Sequence, residues 1–291
     1  MHEYAATNSN MIQMLHVNRP RISIVMPTFN RAQFLPMVIS SILQQSFTDF
    51  ELIIVDDSSS DNSEEIISSF NDERILYIRQ SRNRGEYATT NLGIRAASGM
   101  LVTWVHSDDI LPQDSLATRV RCLDENPDVD LCHGDISIID EQGEVIGFYP
   151  AFSGSGGEAF EEYYKPAESR ICEFPIHHTT IMFRREFIHT TGYWDERLPC
   201  VGDTEWLLRA LKFGKIKKAP GILYLYRSHP ATKRVHDAKN GRDVNVMLTY
   251  VKPKVRKFCT PVEHRSDGRF IKIENIGSQH NLELEHIDKS R

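Results

Sequence analysis

Leu101-Val-Thr-Trp-Val-His-Ser-Asp-Asp-Ile-Leu-Pro112 decides the reading of this chain. Leu101 to Val105 are apolar or β-branched and read as a buried strand. Asp108 and Asp109 follow at its end, and Pro112 stops the strand and can open a helix in its first turn. An α/β sheet commonly presents charge as strand, acidic tip and helix, and its ligands bind beyond the carboxyl ends of the strands. Adjacent carboxylates repel each other unless a cation sits beside them. Mg²⁺ and Mn²⁺ sites often combine one or two carboxylates with substrate phosphates. The stretch therefore points to a metal–diphosphate site; the plainer alternative is a solvated turn with an Asp capping a helix.

The chain before it repeats the same unit. Arg21 to Met26 is a strand of nearly continuous apolar character, as in a sheet buried on both faces. Leu35, Val38, Ile39, Ile42 and Leu43 recur at helical spacing. Phe50 to Val55 is a second strand, ending at Asp56-Asp57-Ser-Ser-Ser60, and Asp61, Asn62 or Ser63 can cap the helix carrying Ile66, Ile67 and Phe70. Ile75 to Ile78 form a third strand, and Asn83-Arg-Gly85 turns into a helix through Asn91, Ile94 and Ala97 that Gly99 closes. This alternation predicts a mixed, mainly parallel α/β sheet with helices on both faces.

Downstream the alternation breaks. Leu116, Val120 and Leu123 give the next helix its buried stripe, Val129 to Ile139 reads as a strand, and Gln142-Gly143 turns into Val145 to Tyr149. Ser153-Gly-Ser-Gly-Gly157 is a flexible loop, either a lid or a plain surface connection. His178 to Phe183 reads as a strand, Gly192-Tyr-Trp-Asp195 as an aromatic turn, Gly202 to Leu211 as a helix and Gly221 to Tyr226 as the last strand of the domain. A further helix is expected through Val244, Met247, Leu248 and Val251. The resulting division is an N-terminal tail over 1–19, one α/β domain over 20–230 and a helical, charged extension over 231–291.

Of 291 residues, 40% are hydrophobic and 25% charged, ordinary for a soluble protein with a sizeable core. A net charge of −6 disfavours nucleic acid as a partner. The cysteines, Cys122, Cys132, Cys172, Cys200 and Cys259, are odd in number with no C-x-x-C pair, which fits a reducing, cytoplasmic compartment. No apolar run approaches the ~20 residues of a membrane helix, and the start of the chain lacks a secretory pattern. Lys252, Lys254, Arg256 and Lys257 form a basic run, a solvated face or a dock for lipid phosphates, so at most peripheral association with the inner face of a membrane is expected. The oligomeric state is left open.

Several loops carry chemistry. Pro27-Thr28-Phe29-Asn30 offers an aromatic face with hydroxyl and amide groups, suited to a flat base, or is simply a turn. Asp56-Asp57 can accept from the ring N–H of a pyrimidine, or cap a helix. Asp203 shares a helix face with Trp206, Leu207, Ala210 and Leu211, near a helix N-terminus that favours its ionised form. Such a carboxylate suits a general base toward a hydroxyl, the alternative again being a cap. Glu205 precedes Arg209 by four, the spacing of an exposed helix pair. His229 is a candidate third metal ligand, or a diphosphate contact together with Arg227, though a lone His is more often a packed or surface residue. His177-His178 lack ligand spacing and read as structural.

Taken together, Ile24-Val-Met-Pro-Thr-Phe-Asn-Arg31, Phe50-Glu-Leu-Ile-Ile-Val-Asp-Asp57, Asn83-x-Gly85 with Asn91-x-Gly93, Ser107-Asp108-Asp109, and Gly192-Tyr-Trp-Asp195 leading to Gly202-Asp203 make the chain resemble the inverting glycosyltransferases of family 2, particularly the bacterial spore-coat polysaccharide type. The resemblance covers about residues 20 to 230. It implies the GT-A fold, a Rossmann-like nucleotide-sugar-binding sheet. It also implies a nucleotide-sugar donor, with UDP the expected nucleotide, a saccharide or lipid-linked acceptor in surface polysaccharide synthesis, and Mn²⁺ or Mg²⁺. It suggests that Pro27, Thr28, Phe29 and Asp57 hold the base, Asp108 the ribose and Asp109 the metal, with Asp203 as the base. Asn30, Arg31, Asp56, Asn83, Arg84, Asn91, Ser107 and Arg227 complete the nucleotide-sugar set, and Asp108 and His229 the metal set.

The chain departs from the family pattern at four places: His106 stands where many members have Asp, Thr90 where many have Arg, Gly202 where many have Glu, and Phe29 where Tyr is common. Arg84 or Arg95 are candidate replacements for the missing cation. Two alternatives are a nucleotidyltransferase, which would want a Gly-rich basic loop that Pro27–Arg31 is not, and a non-catalytic nucleotide- or sugar-binding module, against which Asp109 and Asp203 speak.

Overall fold

Apolar side chains on both faces of Ile22–Thr28 (β1), Phe50–Asp56 (β2) and Leu101–Trp104 (β4) leave these strands no solvated side, so helices must cover both. A computed structural model of the chain describes residues 19–159 and 176–229, which fall within the compact unit Met1–Val255. Residues 1–18 of the expected tail, the helix through Val244 to Val251, the basic run and the extension over 231–291 lie outside the described residues.

The strands join in the order β3-β2-β1-β4-β7-β5-β6, with β8 also paired to β5. Here β3 is Ile75–Arg79, β5 Leu131–Ile139, β6 Val145–Tyr149, β7 Met182–Arg184 and β8 Ile216–Arg227. Strands β1 to β4 run parallel, β7 is antiparallel to β4 and β5, and β8 is parallel to β5. The even face of β1, with Ile22, Ile24 and Met26, packs in one core with Leu35–Leu43 (α1), Ser63–Ser69 (α2) and Ser115–Glu125 (α4). On the other face Glu86–Ala96 (α3) approaches so closely that a Cβ at Gly93 would lie 2.4 Å from Val25 Cγ1. Ile188–Thr191 (α5) and Gly202–Phe213 (α6) follow, and Trp206 of α6 meets Phe183 of β7 with ring centroids 5.2 Å apart.

Four expectations change. The strand predicted over His178–Phe183 is a single 3₁₀ turn, His178–Thr180, followed by the short β7. Thr180 Oγ1 donates to the His177 carbonyl and accepts from Gly134 N–H, so a β-branched run closes a turn instead of extending. The last strand begins at Ile216, because β8 absorbs Pro220 and the left-handed Gly221 in register shifts opposite His133–Ile136. Pro112 does not open α4: the helix starts at Ser115, whose N–H donates to the Pro112 carbonyl. Ser153–Gly157 is not a structureless loop, since residues 156–159 are helical. Ser155 and Glu158 bond each other's backbone N–H there, a reciprocal capping box.

Candidate active site

Strand direction gathers the site. β1, β2 and β4 end together at one edge of the sheet, β7 begins there, and β8 ends there, so residues far apart in sequence meet. The edge also holds every non-glycine residue with a left-handed backbone among the described ones, Asn30 (φ 52°), Ser58 (φ 67°) and Val201 (φ 54°). Such strain concentrates where surrounding structure forces a functional geometry.

The Asp108–Asp109 tip is rigidly held. Asp109 is buried; its Oδ1 accepts from the Arg227 backbone N–H at 2.7 Å, and its Oδ2 has no hydrogen-bond partner. Asp108 Oδ2 takes Arg31 Nε at 3.2 Å and His229 Nε2 at 3.1 Å. His106 Nδ1 lies 3.5 Å from Asp109 Oδ2, and its Nε2 lies 3.7 Å from Glu86 Oε1. Burial raises the Asp109 carboxyl, as does the charge of Asp108, while His106 pulls it back down. Burial alone would lower the His106 imidazole, but Asp109, with Glu86 and Asp108 behind it, overrules this and pushes it up to about 9. One ligand atom each from His106, Asp108 and Asp109 lie within 4.8 Å of one another. An orphaned, buried carboxylate oxygen beside a second carboxylate and an imidazole fits a divalent cation.

Asp203 sits in the first turn of α6. Its Oδ1 accepts from the Thr204 N–H at 2.7 Å, and its Oδ2 lies 3.0 Å from His178 Nε2, off the line of a straight hydrogen bond. Burial works to raise the Asp203 carboxyl, but the His178 ring and the Thr204 amide outweigh it and hold it far below the usual carboxylate range. His178 stacks on Trp104 (6.4 Å, 12°), which packs edge-on against the stacked pair Trp194 and Trp206 (4.6 Å, 5°). Behind this turn, the fully buried Arg119 bonds Thr103 Oγ1 at 2.7 Å and the Thr180 carbonyl at 3.5 Å, with burial lowering it to about 10. The His178 and His106 rings, 5.6 Å apart, bring the two halves of the site side by side. His178 is the residue that sequence reasoning missed. Its only signal was position before an antiparallel strand that starts where the parallel ones end.

The remaining expected residues divide. Phe29 is exposed and free to stack, and Thr28 Oγ1 is buried without a partner. Asp57 accepts from Gln80 Nε2, Arg84 N–H and Gly85 N–H at 2.7–2.8 Å, which fixes both oxygens and leaves Oδ2 capacity for one more donor. Asn83 and Arg84 are exposed beside it, and Ser107 is buried in the acidic tip. Asn30 and Pro27 shape the β1 turn, where Asn30 Oδ1 accepts from Ser60 N–H.

Other expectations are corrected. Asp56 is fully buried and committed to Ser59 N–H and the Tyr77 hydroxyl, both at 2.8 Å. Asn91 is fully buried and ties α3 to Trp194 and Glu196. The Arg227 guanidinium is also buried, holding the carbonyls of Asp108, Asp140 and Glu141, so it braces the acidic tip instead of reaching a diphosphate. Arg84 and Arg95 both pair with Glu196. Glu205 does pair with Arg209, but the pair is internal: Glu205 is fully buried, and Arg209 also bonds the Thr191 and Tyr193 carbonyls.

Residues 23–191 match the model of glycosyl transferase family 2. The chain belongs to that family. It is 36% identical over 132 residues to an uncharacterized glycosyltransferase of Haemophilus influenzae, covering 45% of this chain and 52% of the relative. It is 29% identical over 202 residues to one of Methanocaldococcus jannaschii, covering 67% of this chain and 66% of that one. The chain thus spans roughly half to two thirds of these relatives. A Campylobacter jejuni GalNAc(5)-diNAcBac-PP-undecaprenol beta-1,3-glucosyltransferase is 37% identical over 109 residues, 36% of this chain and 35% of its own length. Among solved structures, S. aureus TarS 1-349 in complex with UDP-GlcNAc superimposes with a TM-score of 0.59 at 19% identity, over 73% of this chain and 60% of TarS. The mannosyltransferase PcManGT from Pyrobaculum calidifontis, with GDP-Man and Mn²⁺, gives 0.57 at 19%, over 82% and 65%. The family 2 chain has the GT-A fold of these neighbours.

Proposed function

We propose that this chain transfers a sugar from a UDP-linked donor to a hydroxyl of a saccharide or lipid-linked acceptor, with inversion at the anomeric carbon and with a divalent cation bound at the acidic tip. One observation carries the reading: an ionised carboxylate, Asp203, stands across the His178–His106 ring contact from the His106–Asp108–Asp109 cluster. A base and a cation-binding pocket linked through two imidazole rings 5.6 Å apart suit a displacement between them. The names of the relatives support the substrate classes: UDP-GlcNAc with TarS, GDP-Man and Mn²⁺ with PcManGT, and a PP-undecaprenol-linked acceptor for the Campylobacter enzyme.

In this reading Phe29 stacks on the base, and the spare capacity of Asp57 Oδ2 accepts a ring N–H. Asp108 and Asp109, the latter braced by Arg227, hold the cation, which when bound neutralises charge on the leaving diphosphate. His178 and Thr204 keep Asp203 ionised and oriented. The acceptor oxygen forms its bond to the anomeric carbon as its proton passes to Asp203. The old bond from that carbon to the diphosphate oxygen breaks, its electron pair leaving with UDP. Because Asp203 is a weak base, the proton moves as the new bond forms and not before.

The test is turnover of a panel of UDP-sugars by the purified chain, with Mn²⁺ or Mg²⁺ and with EDTA. Asp203→Asn should abolish transfer and donor hydrolysis while leaving metal-supported UDP binding within about twofold. Equal loss of both would remove Asp203 from the chemistry.

A further inference from the structure

We propose that His106 is itself a ligand of the divalent cation, through Nδ1, and that this imidazole makes the site one for Mn²⁺ in preference to Mg²⁺. The inference rests on the metal-dependent reading above and concerns the position where this chain departs from an all-carboxylate tip.

Three observations carry it. First, Asp109 Oδ2 is buried, has no hydrogen-bond partner and faces His106 Nδ1 at 3.5 Å. That gap is too long for a good hydrogen bond, yet both atoms belong, with a carboxylate oxygen of Asp108, to one cluster within 4.8 Å. An unpaired buried carboxylate oxygen is costly, and a cation seated between Oδ2 and Nδ1, taking the place of the imidazole proton, would give both atoms a partner. Second, Glu86 Oε1 stands 3.7 Å from the far nitrogen of the same ring, Nε2, beyond hydrogen-bond reach but within a small side-chain adjustment of it. Metal-bound imidazoles usually turn their second N–H to a carboxylate, which sets the tautomer and leaves the other nitrogen's lone pair for the metal. Third, the residue is anchored: the His106 backbone N–H donates to the Tyr224 hydroxyl at 3.0 Å, and its ring centroid lies 5.6 Å from that of His178.

The chemical consequence follows from ligand type. Carboxylates and phosphates alone accept Mg²⁺ and Mn²⁺ alike, whereas Mg²⁺ dehydrates reluctantly and disfavours nitrogen. Exchanging a carboxylate oxygen for an imidazole nitrogen moves the preference along the first-row series.

The experiment uses the full chain, stripped with EDTA and saturated with UDP. Loss of the free Mn²⁺ electron paramagnetic resonance signal reports binding, and competition gives the Mg²⁺ affinity. Wild type should favour Mn²⁺ over Mg²⁺ by about tenfold or more. His106→Ala should lose Mn²⁺ affinity about ten- to a hundredfold, Glu86→Gln about tenfold, and His106→Asp should narrow the Mn²⁺/Mg²⁺ ratio. In ¹⁵N-histidine spectra, Zn²⁺ should shift Nδ1 of one ring, and that signal should vanish in His106→Ala. UDP binding in EDTA and far-UV circular dichroism check that each variant folds. Wild-type Mn²⁺ affinity and selectivity in folded His106→Ala, or a Zn²⁺ shift at Nε2, overturns the assignment. If no form of the protein binds Mn²⁺ while UDP still binds, this proposal falls and the nucleotide-sugar reading stands. If Mn²⁺ binds through His106 but no UDP-sugar is bound or turned over, the metal site stands and the transferase reading fails.

Discussion

His133 offers a prediction whose size can be worked out. It lies within β5, fully buried, and neither ring nitrogen has a hydrogen-bond partner. Across the ladder it pairs with Lys218 of β8, and Asp135, two residues along, is tied to Lys218 Nζ at 2.7 Å. Burial first, then the Lys218 charge, depress the imidazole from 6.5 to about 4, with Asp135 pulling the other way. The unfolded chain therefore takes up a proton below pH ~6.5, and the folded one refuses it until pH ~4. Stability is untouched above that window and falls as the pH drops through it. The difference of 6.5 − 4 in pKa, at about 1.36 kcal/mol per unit, gives a full loss of about 3 kcal/mol, of which about 2 kcal/mol is reached at pH 5. His133→Leu keeps a similar volume and removes the titration. Urea unfolding of both proteins at pH 7, 6 and 5 should show the stability gap between variant and wild type widening by about 2 kcal/mol from pH 7 to pH 5. Every other titrating group is common to both proteins and cancels in the difference. A gap that does not change with pH would show that folded His133 takes its proton as readily as the unfolded chain, and the burial argument would be wrong.

His178→Ala should cut UDP-sugar turnover about ten- to a hundredfold with little change in Mn²⁺-supported UDP affinity, and His178→Gln should recover part of it; parallel losses in turnover and affinity would make His178 a fold element only. A Cβ at Gly202 would lie 2.8 Å from carbons of the Tyr87 ring, so Gly202→Ala should lower stability by about 1–3 kcal/mol in thermal unfolding. Adding Tyr87→Ala should relieve part of that cost, and strictly additive effects would rule out the clash. Val201 holds φ 54° immediately before α6, so Val201→Gly should raise stability by about 1 kcal/mol while slowing turnover, because Asp203 rides two residues on. An unchanged or lower melting temperature would mean that Val201 is not strained.

What the sequence made legible, and what it hid, follows from where each side chain finds its partner. The βα units over 22–125 are readable because their strands and helices follow local patterns, a continuous apolar run or a 3.6-residue stripe. Parallel strands also end at the same edge, so acidic residues closing β2 and β4 had to converge, and Asp57, Asp108 and Asp109 do. Misreadings fell where a partner arrives from a distant segment. Glu205 and Arg209 have the spacing of an exposed pair, yet the Thr191 and Tyr193 carbonyls bind Arg209 and leave the pair no solvent. Asn91 looks like a ligand-binding amide until the 194–196 turn consumes both its functions. His178 looks structural by spacing, and meets Asp203 only because an antiparallel strand inserted between β4 and β5 carries it to the edge where Asp203 arrives on α6. The family's departures obey the same logic. Gly202 is glycine because Tyr87 fills the space a side chain would need, and His106 sits in an acidic tip between the carboxylates of Asp109 at 3.5 Å and Glu86 at 3.7 Å. A motif identifies which residues reach an edge; the contacts brought there by other strands decide which of them remain free to act.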